Sequence, residues 1–372
     1  MTKKSSSFLR SLKWCYKKYL FLFLIQLAII SCDINAQDKV SEKVMKQVYE
    51  EVKTPFKYGI VLAAPDSAKM ADSPTVFRLN GKWFMTYIIF DGTGYETWIA
   101  QSDDLLKWTT KGKIMSFSKD TWDANQKAGY PALIDITWGG SYEPMKYKGR
   151  YWVSYLGGSN TGYEAGQLAV GMAYTNDLSG MDELKRIPHP VLSPTDSSAK
   201  WYDNKTIFKS SIIYDHDKKA GNHFVMYYNA AGDATGKNPH SFESIAMAVS
   251  NDMLHWNRLG EKPIITKGRG IAGDAQIVKM DNLYVLFYFG HNWVDSTNTA
   301  FDRFACSYDL VNWTQWDGDN LVEPSGTFDR QYAHKPWLVK WNGIVYHFYN
   351  AVGAKGRVIA LSTSKDLKLL NR

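Results

Sequence analysis

Charged side chains of different types precede five strand-like segments of this 372-residue chain. Each segment continues as a largely apolar run, and the leading charged residues are Asp72, Glu143, Lys209, Asp274 and the pair His334-Lys335. A residue needed only for folding would keep its type from copy to copy, whereas these change. Carboxyl groups beside cationic groups could act as general acid and general base on a bound substrate. The alternative is a lining of charges that pair with one another and with water.

A short phrase repeated five times is the reason to expect these positions to meet. It reads Ser or Thr, any residue, Asp, then Leu or Met, at residues 102–105, 175–178, 250–253, 307–310 and 364–367. Three copies add a Trp four residues after the Asp. We interpret the phrase as a turn in which Ser and Asp side chains bind nearby backbone, while the Trp packs between units.

Each copy of the phrase follows two β-branched and aromatic runs joined by a Gly, Asn or Asp turn, which predicts paired strands. Units of this kind bury their faces best when they pack radially around a channel. The pattern therefore predicts an all-β protein, a five-bladed β-propeller at residues 56–372. A parallel solenoid is the rival, but its rungs are shorter and lack a reversing hairpin. In a propeller the first strands of all blades start at one face, so the charged residues would converge.

The first 31 residues have the composition of a signal peptide. Six Lys and Arg residues precede the apolar run at residues 19–30, which is too short to span a membrane comfortably. Ile-Ile-Ser-Cys then resembles a bacterial lipobox, so we expect lipidation at Cys32 and an exported protein, lipid-anchored to the outer membrane or periplasmic. Cleavage after Ala36 is the alternative and would give a freely secreted protein. Residues 32–55 are predicted to be a linker and a short amphipathic helix, with apolar helical spacing at residues 40–52.

Charge and cysteine content exclude several classes of function. Without residues 1–31 the protein keeps 38 Lys and Arg against 37 Asp and Glu, a net charge of +1, and it has no basic stripe for nucleic acid. Beyond the lipobox only Cys306 remains, and no His spacing suits a metal, so neither a disulfide framework nor a metal or cofactor site is predicted. We expect a monomer whose one attachment to a membrane is the lipid on Cys32.

The opening hairpin, residues 72–87 (DSPTVFRLNGKWFMTY), and the Ser-x-Asp-Leu-x-x-Trp endings resemble the β-propeller glycoside hydrolases of family 43. The resemblance covers roughly residues 56–370. It implies inverting hydrolysis of a glycosidic bond by two carboxyl groups and a third acid that tunes the donor. Carried over by position, Asp72 is the base, Glu143 the proton donor and Asp274 the third acid. The sequence departs from the family by Ser73 before the proline and by Lys209 in the third repeat.

Other residues are candidates for substrate contact. Lys209, His334 and Lys335 could hold the acids ionised or bind an anionic group, and Trp138 and Trp293 could cover the C–H face of a sugar. A second set of acids precedes the third strand of four repeats: Glu96, Glu164, Glu243 and Asp302. Their recurrence favours a structural role, although Glu243 could reach the cavity through a long loop.

These observations predict a glycosidase acting on an oligo- or polysaccharide. A carbohydrate-binding propeller without catalysis and a glycoside phosphorylase are the alternatives. In each case the partner is a carbohydrate.

Overall fold

The computed structural model describes residues 39–180, 184–232, 242–267, 270–293 and 299–370. The predicted signal peptide and Cys32 lie outside these residues. The elements in chain order are α1 (Glu42–Val52), β1 (Phe56–Leu62), β2 (Met70–Leu79), β3 (Lys82–Phe90), β4 (Tyr95–Ser102), β5 (Thr109–Met115), β6 (Gln126–Pro131), β7 (Tyr151–Gly158), β8 (Ala169–Thr175), β9 (Lys185–Arg186), β10 (Thr206–Tyr214), β11 (Phe224–Ala231), β12 (Phe242–Ser250), β13 (Asn257–Leu259), β14 (Gly270–Met280), β15 (Leu283–His291), β16 (Ala300–Ser307), β17 (Thr314–Gln315), β18 (Tyr332–Trp341), β19 (Ile344–Gly353), β20 (Gly356–Thr363) and α2 (Leu367–Leu370).

The described strands pair into five antiparallel four-stranded units. Four are consecutive, β2–β5, β6–β9, β10–β13 and β14–β17, and the fifth joins β18–β20 to β1. The N-terminal strand β1 thus completes the last unit, and β2 contacts β18, β19 and β20, so the first unit packs on the last. The predicted all-β propeller class is confirmed.

The second strands of the units are buried because each is covered by a unit on either side. β3, β11 and β15 are continuous apolar and aromatic runs, and nearly every residue in them is buried. At the start of four first strands the pairing shifts register, after Asp72, Ile207, Gly273 and His334. Such bulges bend the strand and redirect side chains. This is the local reason that polar groups point to the axis at one end of the channel.

The repeated Ser-x-Asp phrase forms the predicted turns. Asp104 Oδ1 accepts hydrogen bonds from the backbone N–H groups of Leu106 at 2.9 Å and Lys107 at 2.8 Å, and Asp252 and Asp309 bind their own turns in the same way. Trp108 Nε1 donates to Leu105 O at 3.1 Å while its ring packs on an aromatic residue of the neighbouring unit. The phrase therefore shapes the units and takes no part in the cavity.

Helix α1 begins after Ser41, whose Oγ accepts the N–H of Val44 at 3.4 Å. Its buried face, with Met45, Val48 and Val52, packs in a cluster with residues of β14, β15 and β18. This agrees with the helical spacing of the sequence. Within the described residues, no helix has both the length and the apolar content needed to cross a membrane.

The second unit differs from the sequence prediction. Its first strand is β6, whereas the sequence pattern had indicated a strand that starts at Glu143. Residues 132–145 instead fold over the far end of the channel, where Leu133 N donates to Ile212 O and Arg78 N donates to Tyr142 O. β6 is short and rich in polar residues and Gly (QKAGYP), so it carries no alternating apolar signal.

Candidate active site

All five units contribute to one cavity of about 220 Å³ at the end where the first strands start. Its charged lining comprises Asp72, Glu164, Lys209, Glu243, Asp274, Lys335 and Arg357. Four of these had been placed at strand starts from the sequence: Asp72, Lys209, Asp274 and Lys335. The repeat therefore brings together residues that are up to 263 positions apart in sequence.

Asp72 is buried at the start of β2 and accepts hydrogen bonds from two cations. Lys335 Nζ is 3.0 Å and Arg357 Nη1 2.8 Å from Asp72 Oδ2, and the N–H of Ser73 is 2.7 Å from Oδ1. Burial opposes ionisation, but the positive charges of Lys335 and Arg357 outweigh it and hold the pKa of Asp72 below its usual range. Asp72 is therefore a carboxylate at neutral pH.

Asp274 occupies the left-handed region at φ 57° within the bulge of β14, and four contacts from three residues hold it there. Ser73 Oγ donates to Oδ2 at 3.1 Å, Lys209 Nζ lies 3.4 Å from the same oxygen, and Asn229 Nδ2 donates to Oδ1 at 3.0 Å. The Asp274 N–H donates to Asn229 Oδ1 at 2.7 Å. The position is rigid, with its carboxylate fully engaged.

Glu164 and Glu243 are half-buried and line the same cavity, one from the loop before β8 and one from β12. Burial, Glu164 and Asp274 raise the pKa of Glu243 well above its usual value. Burial also raises the pKa of Glu164, against the positive charges of Lys335 and Arg357, and Tyr95 Oη donates to Glu164 Oε1 at 3.2 Å. Two carboxyl groups in unlike surroundings can divide the roles of acid and base.

His334 and Lys209 also line the cavity. Nδ1 of His334 is 3.2 Å from the carbonyl oxygen of Asn350, so this nitrogen carries the proton. Burial, with Arg357 and Lys335 nearby, lowers the pKa of His334 well below its usual value and keeps the ring neutral. Burial also lowers the pKa of Lys209, whose Nζ stands 4.9 Å from the ring centroid of Tyr130.

Glu143 is not brought into this cavity. It is exposed and lines a separate cavity of about 310 Å³, together with residues of the far channel end such as Asp215 and Tyr284. The prediction that it stands at a matched strand start is wrong, because β6 supplies the inner strand of its unit and residues 132–145 carry Glu143 away from Asp72 and Asp274.

The two predicted sugar-stacking tryptophans also lie elsewhere. Trp138 is in the same far-end segment and donates from Nε1 to Glu51 of α1 at 2.8 Å. Trp293 is nearly buried, donates from Nε1 to Ile271 O at 2.8 Å and packs edge-on against Phe301 in a hydrophobic core. Neither is among the residues that line the central cavity.

The recurring acids separate into two kinds. Glu96 is buried and its carboxyl group receives hydrogen bonds from Lys113 and Ser116, while Asp302 is buried and lies 3.0 Å from His347 Nε2. These two have the structural role expected from recurrence, whereas Glu164 and Glu243 face the cavity. Glu164 lies within the connection 159–168, and Glu243 follows the connection 232–241; these two connections are the longest of the five between second and third strands. That difference in length was the available signal.

The described residues contain no group of three or more His, Cys, Asp or Glu side chains with metal-site geometry. The cavity instead offers paired charges, two protonatable glutamates and aromatic walls such as Tyr95, Tyr130 and Tyr163. Such a lining suits a neutral or mixed polar ligand with several hydroxyl groups. It could supply a proton and a carboxylate to that ligand.

The chain is similar in sequence and fold to solved structures of glycoside hydrolases. No protein-family model and no curated protein sequence matches the chain. A solved structure described as a glycoside hydrolase is 45% identical, with TM-score 0.85, over 88% of this chain and 97% of its own. A structure described as a BT0996 RGII complex is 46% identical, with TM-score 0.85 and the same coverage. A thermostable family-43 glycoside hydrolase is 14% identical over 83% of this chain and 91% of its own, with TM-score 0.58, a likeness of fold alone.

Proposed function

The protein belongs to the glycoside hydrolases, and on that premise we propose that it cleaves a glycosidic bond in the central cavity with Glu243 and Glu164 as its paired carboxyl groups. One observation carries the proposal. These two glutamates enter a single cavity of about 220 Å³, and they are the acids there whose pKa values are raised.

The surroundings of the two residues divide their roles. Glu243, whose pKa burial and two nearby carboxylates raise most, stays protonated at neutral pH and donates its proton to the leaving oxygen. Glu164 is the more easily ionised partner, because Lys335 and Arg357 favour its charged form. It serves as base or nucleophile. The inversion implied by the family-43 resemblance stays a prediction, which NMR of the first-formed sugar anomer tests.

Asp72 and Asp274 then have a different role from the one predicted. Both oxygens of Asp72 are engaged, by Lys335 and Arg357 on one and Ser73 on the other, so it is poorly placed to activate water. We assign both acids to holding the cations and the bulges in place, and to accepting hydrogen bonds from sugar hydroxyl groups. His334 Nε2 offers a further acceptor.

The substrate is a carbohydrate that enters from one side. Residues 132–145 lie across the far end of the channel, which supports removal of a terminal sugar. The similar protein described as an RGII complex makes an RGII oligosaccharide the first substrate to test. Lys335, Arg357 and Lys209 each face a carboxylate already, an arrangement that favours hydrolysis over phosphorolysis.

Purified protein is incubated in phosphate-free buffer with RGII oligosaccharides and with nitrophenyl glycosides, arabinofuranosides and xylosides first. Wild type is expected to release sugar from both kinds of substrate. Glu164→Gln is expected to fold normally and release little from either, and Glu243→Gln is expected to fold normally and release little from the RGII oligosaccharides. Binding without release would support a carbohydrate-binding propeller, and a requirement for phosphate would support a phosphorylase. Either result would overturn the proposal.

Export and anchoring at Cys32 are part of the proposed function. A lipid on Cys32 would hold a monomeric propeller at the outer membrane, where it meets external glycans. Incorporation of labelled fatty acid into wild type but not into Cys32→Ala tests this. No labelling of wild type would argue for cleavage after Ala36, and equal labelling of both proteins would mean that the lipid is attached elsewhere; either result would contradict anchoring at Cys32.

A further inference from the structure

Asn229 links two of the acids in the cavity. It is 2% exposed, lies in β11 and lines the cavity wall. Its Nδ2 donates to Glu243 Oε1 at 2.8 Å and to Asp274 Oδ1 at 3.0 Å. One amide group therefore bridges a residue of β12 and a residue of β14.

The orientation of this amide is determined by the backbone. The N–H of Asp274 lies 2.7 Å from Asn229 Oδ1, and a backbone N–H can only donate. The oxygen of Asn229 must therefore face Asp274 N, which leaves both N–H donors for the two carboxyl groups. Burial means that water competes poorly for any of the three hydrogen bonds.

We propose that Asn229 is a positioning residue, whose amide ties Glu243 to Asp274 and holds the Glu243 carboxyl group at the place in the cavity from which it transfers its proton. The inference rests on the proposed role of Glu243 as donor. It adds a residue that neither the repeat pattern nor the charge of the sequence singles out.

A hydrogen bond to the ionised form of an acid lowers its pKa. Asn229 thus opposes burial, Glu164 and Asp274, which raise the pKa of Glu243, and Lys335 acts in the same direction as Asn229. The remaining titratable groups around the cavity are Asp72, Tyr95, Tyr130, Tyr163, Lys209, His291, Tyr332, His334 and Arg357. The hydrogen bonds that the Asn229 side chain makes with described residues of this lining run to Glu243 and Asp274.

The test compares Asn229→Ala with wild type by the pH dependence of kcat/KM. Loss of the hydrogen-bond donor is expected to raise the pH at which kcat/KM falls on the alkaline side, the alkaline limb of the profile, by about one unit, because Glu243 then holds its proton more tightly. It is also expected to lower kcat about 10–100-fold, because the carboxyl group is less well placed. Asn229→Asp keeps the size of the side chain and the acceptor for Asp274 N–H. It should shift the limb further, because it adds a negative charge.

Tyr228→Phe is the matched control. Tyr228 is the preceding residue of β11, fully buried, and its Oη donates to Asp203 at 2.9 Å, outside the cavity. This variant should lose stability and keep the wild-type limb. An unmoved limb in both Asn229 variants, with an active wild type, would overturn the inference alone. An inactive wild type, or a fully active Glu243→Gln, would instead refute the proposed function.

Discussion

Replacement of Glu243 by Gln separates catalysis from folding. Because the raised pKa keeps Glu243 neutral at neutral pH, Glu243→Gln exchanges one neutral group for another of nearly the same shape. The Gln oxygen can still accept the hydrogen bond from Asn229, which is 2.8 Å long. We therefore expect the free energy of unfolding to change by less than about 1 kcal/mol.

Catalysis should respond very differently. A positioned general acid contributes about 10²–10⁴-fold to rate, which equals about 3–5 kcal/mol of transition-state stabilisation. That loss should appear in kcat/KM for a sugar or alkyl leaving group, which needs a proton to depart. A nitrophenolate departs without one, so the same variant should be far less impaired on the nitrophenyl glycoside. Glu164→Gln should lose activity on both substrates.

Glu143→Gln is the control, because Glu143 is an exposed glutamate outside the central cavity. Its kcat/KM should stay within about twofold of wild type, as for most surface substitutions. The reasoning would be refuted if Glu243→Gln were equally impaired on both leaving groups, or if Glu143→Gln lost activity while Glu243→Gln kept it. Urea unfolding of each variant excludes misfolding as the cause.

The buried charges lead to three more testable expectations. Activity should fall as pH rises through the raised pKa of Glu243 and as pH falls through that of Glu164, giving a bell-shaped kcat/KM profile; activity that keeps rising in the alkaline range would contradict the assigned donor. Asp72→Asn leaves two buried cations without their carboxylate and should cost about 3–5 kcal/mol in urea unfolding. Since the pKa of Asp72 is lowered in the folded protein, this difference should shrink below about pH 4, and a constant difference would speak against it. Burial lowers the pKa of His347 to about 3 and raises that of Asp302, so both are neutral; Asp302→Asn should cost under about 1 kcal/mol and Asp302→Ala about 1–3, and equal costs would show that the hydrogen bond contributes nothing.

The sequence determined the features that arise from local chemistry and repetition. The Ser-x-Asp turns depend on hydrogen bonds within a few residues, and the apolar runs predict strands whatever their partners. Repetition of such units predicts radial packing, which in turn brings Asp72, Lys209, Asp274 and Lys335 together from distant parts of the sequence. These inferences need only the pattern and the symmetry it implies.

Only the tertiary structure decided which acids line the central cavity. Glu96, Glu164, Glu243 and Asp302 follow the same sequence pattern, yet two are held by structural partners and two reach the cavity. The residue types are alike, so the difference comes from where the backbone of each residue lies relative to the cavity. Glu143 was misplaced for the same reason: β6 has too few apolar residues to identify itself as an inner strand, and its place is set by pairing with β7 and by packing of the neighbouring units. Whether a carboxyl group is buried beside another charge depends on how the five units pack. Its pKa, and the catalytic role proposed from it, therefore depend on the tertiary structure.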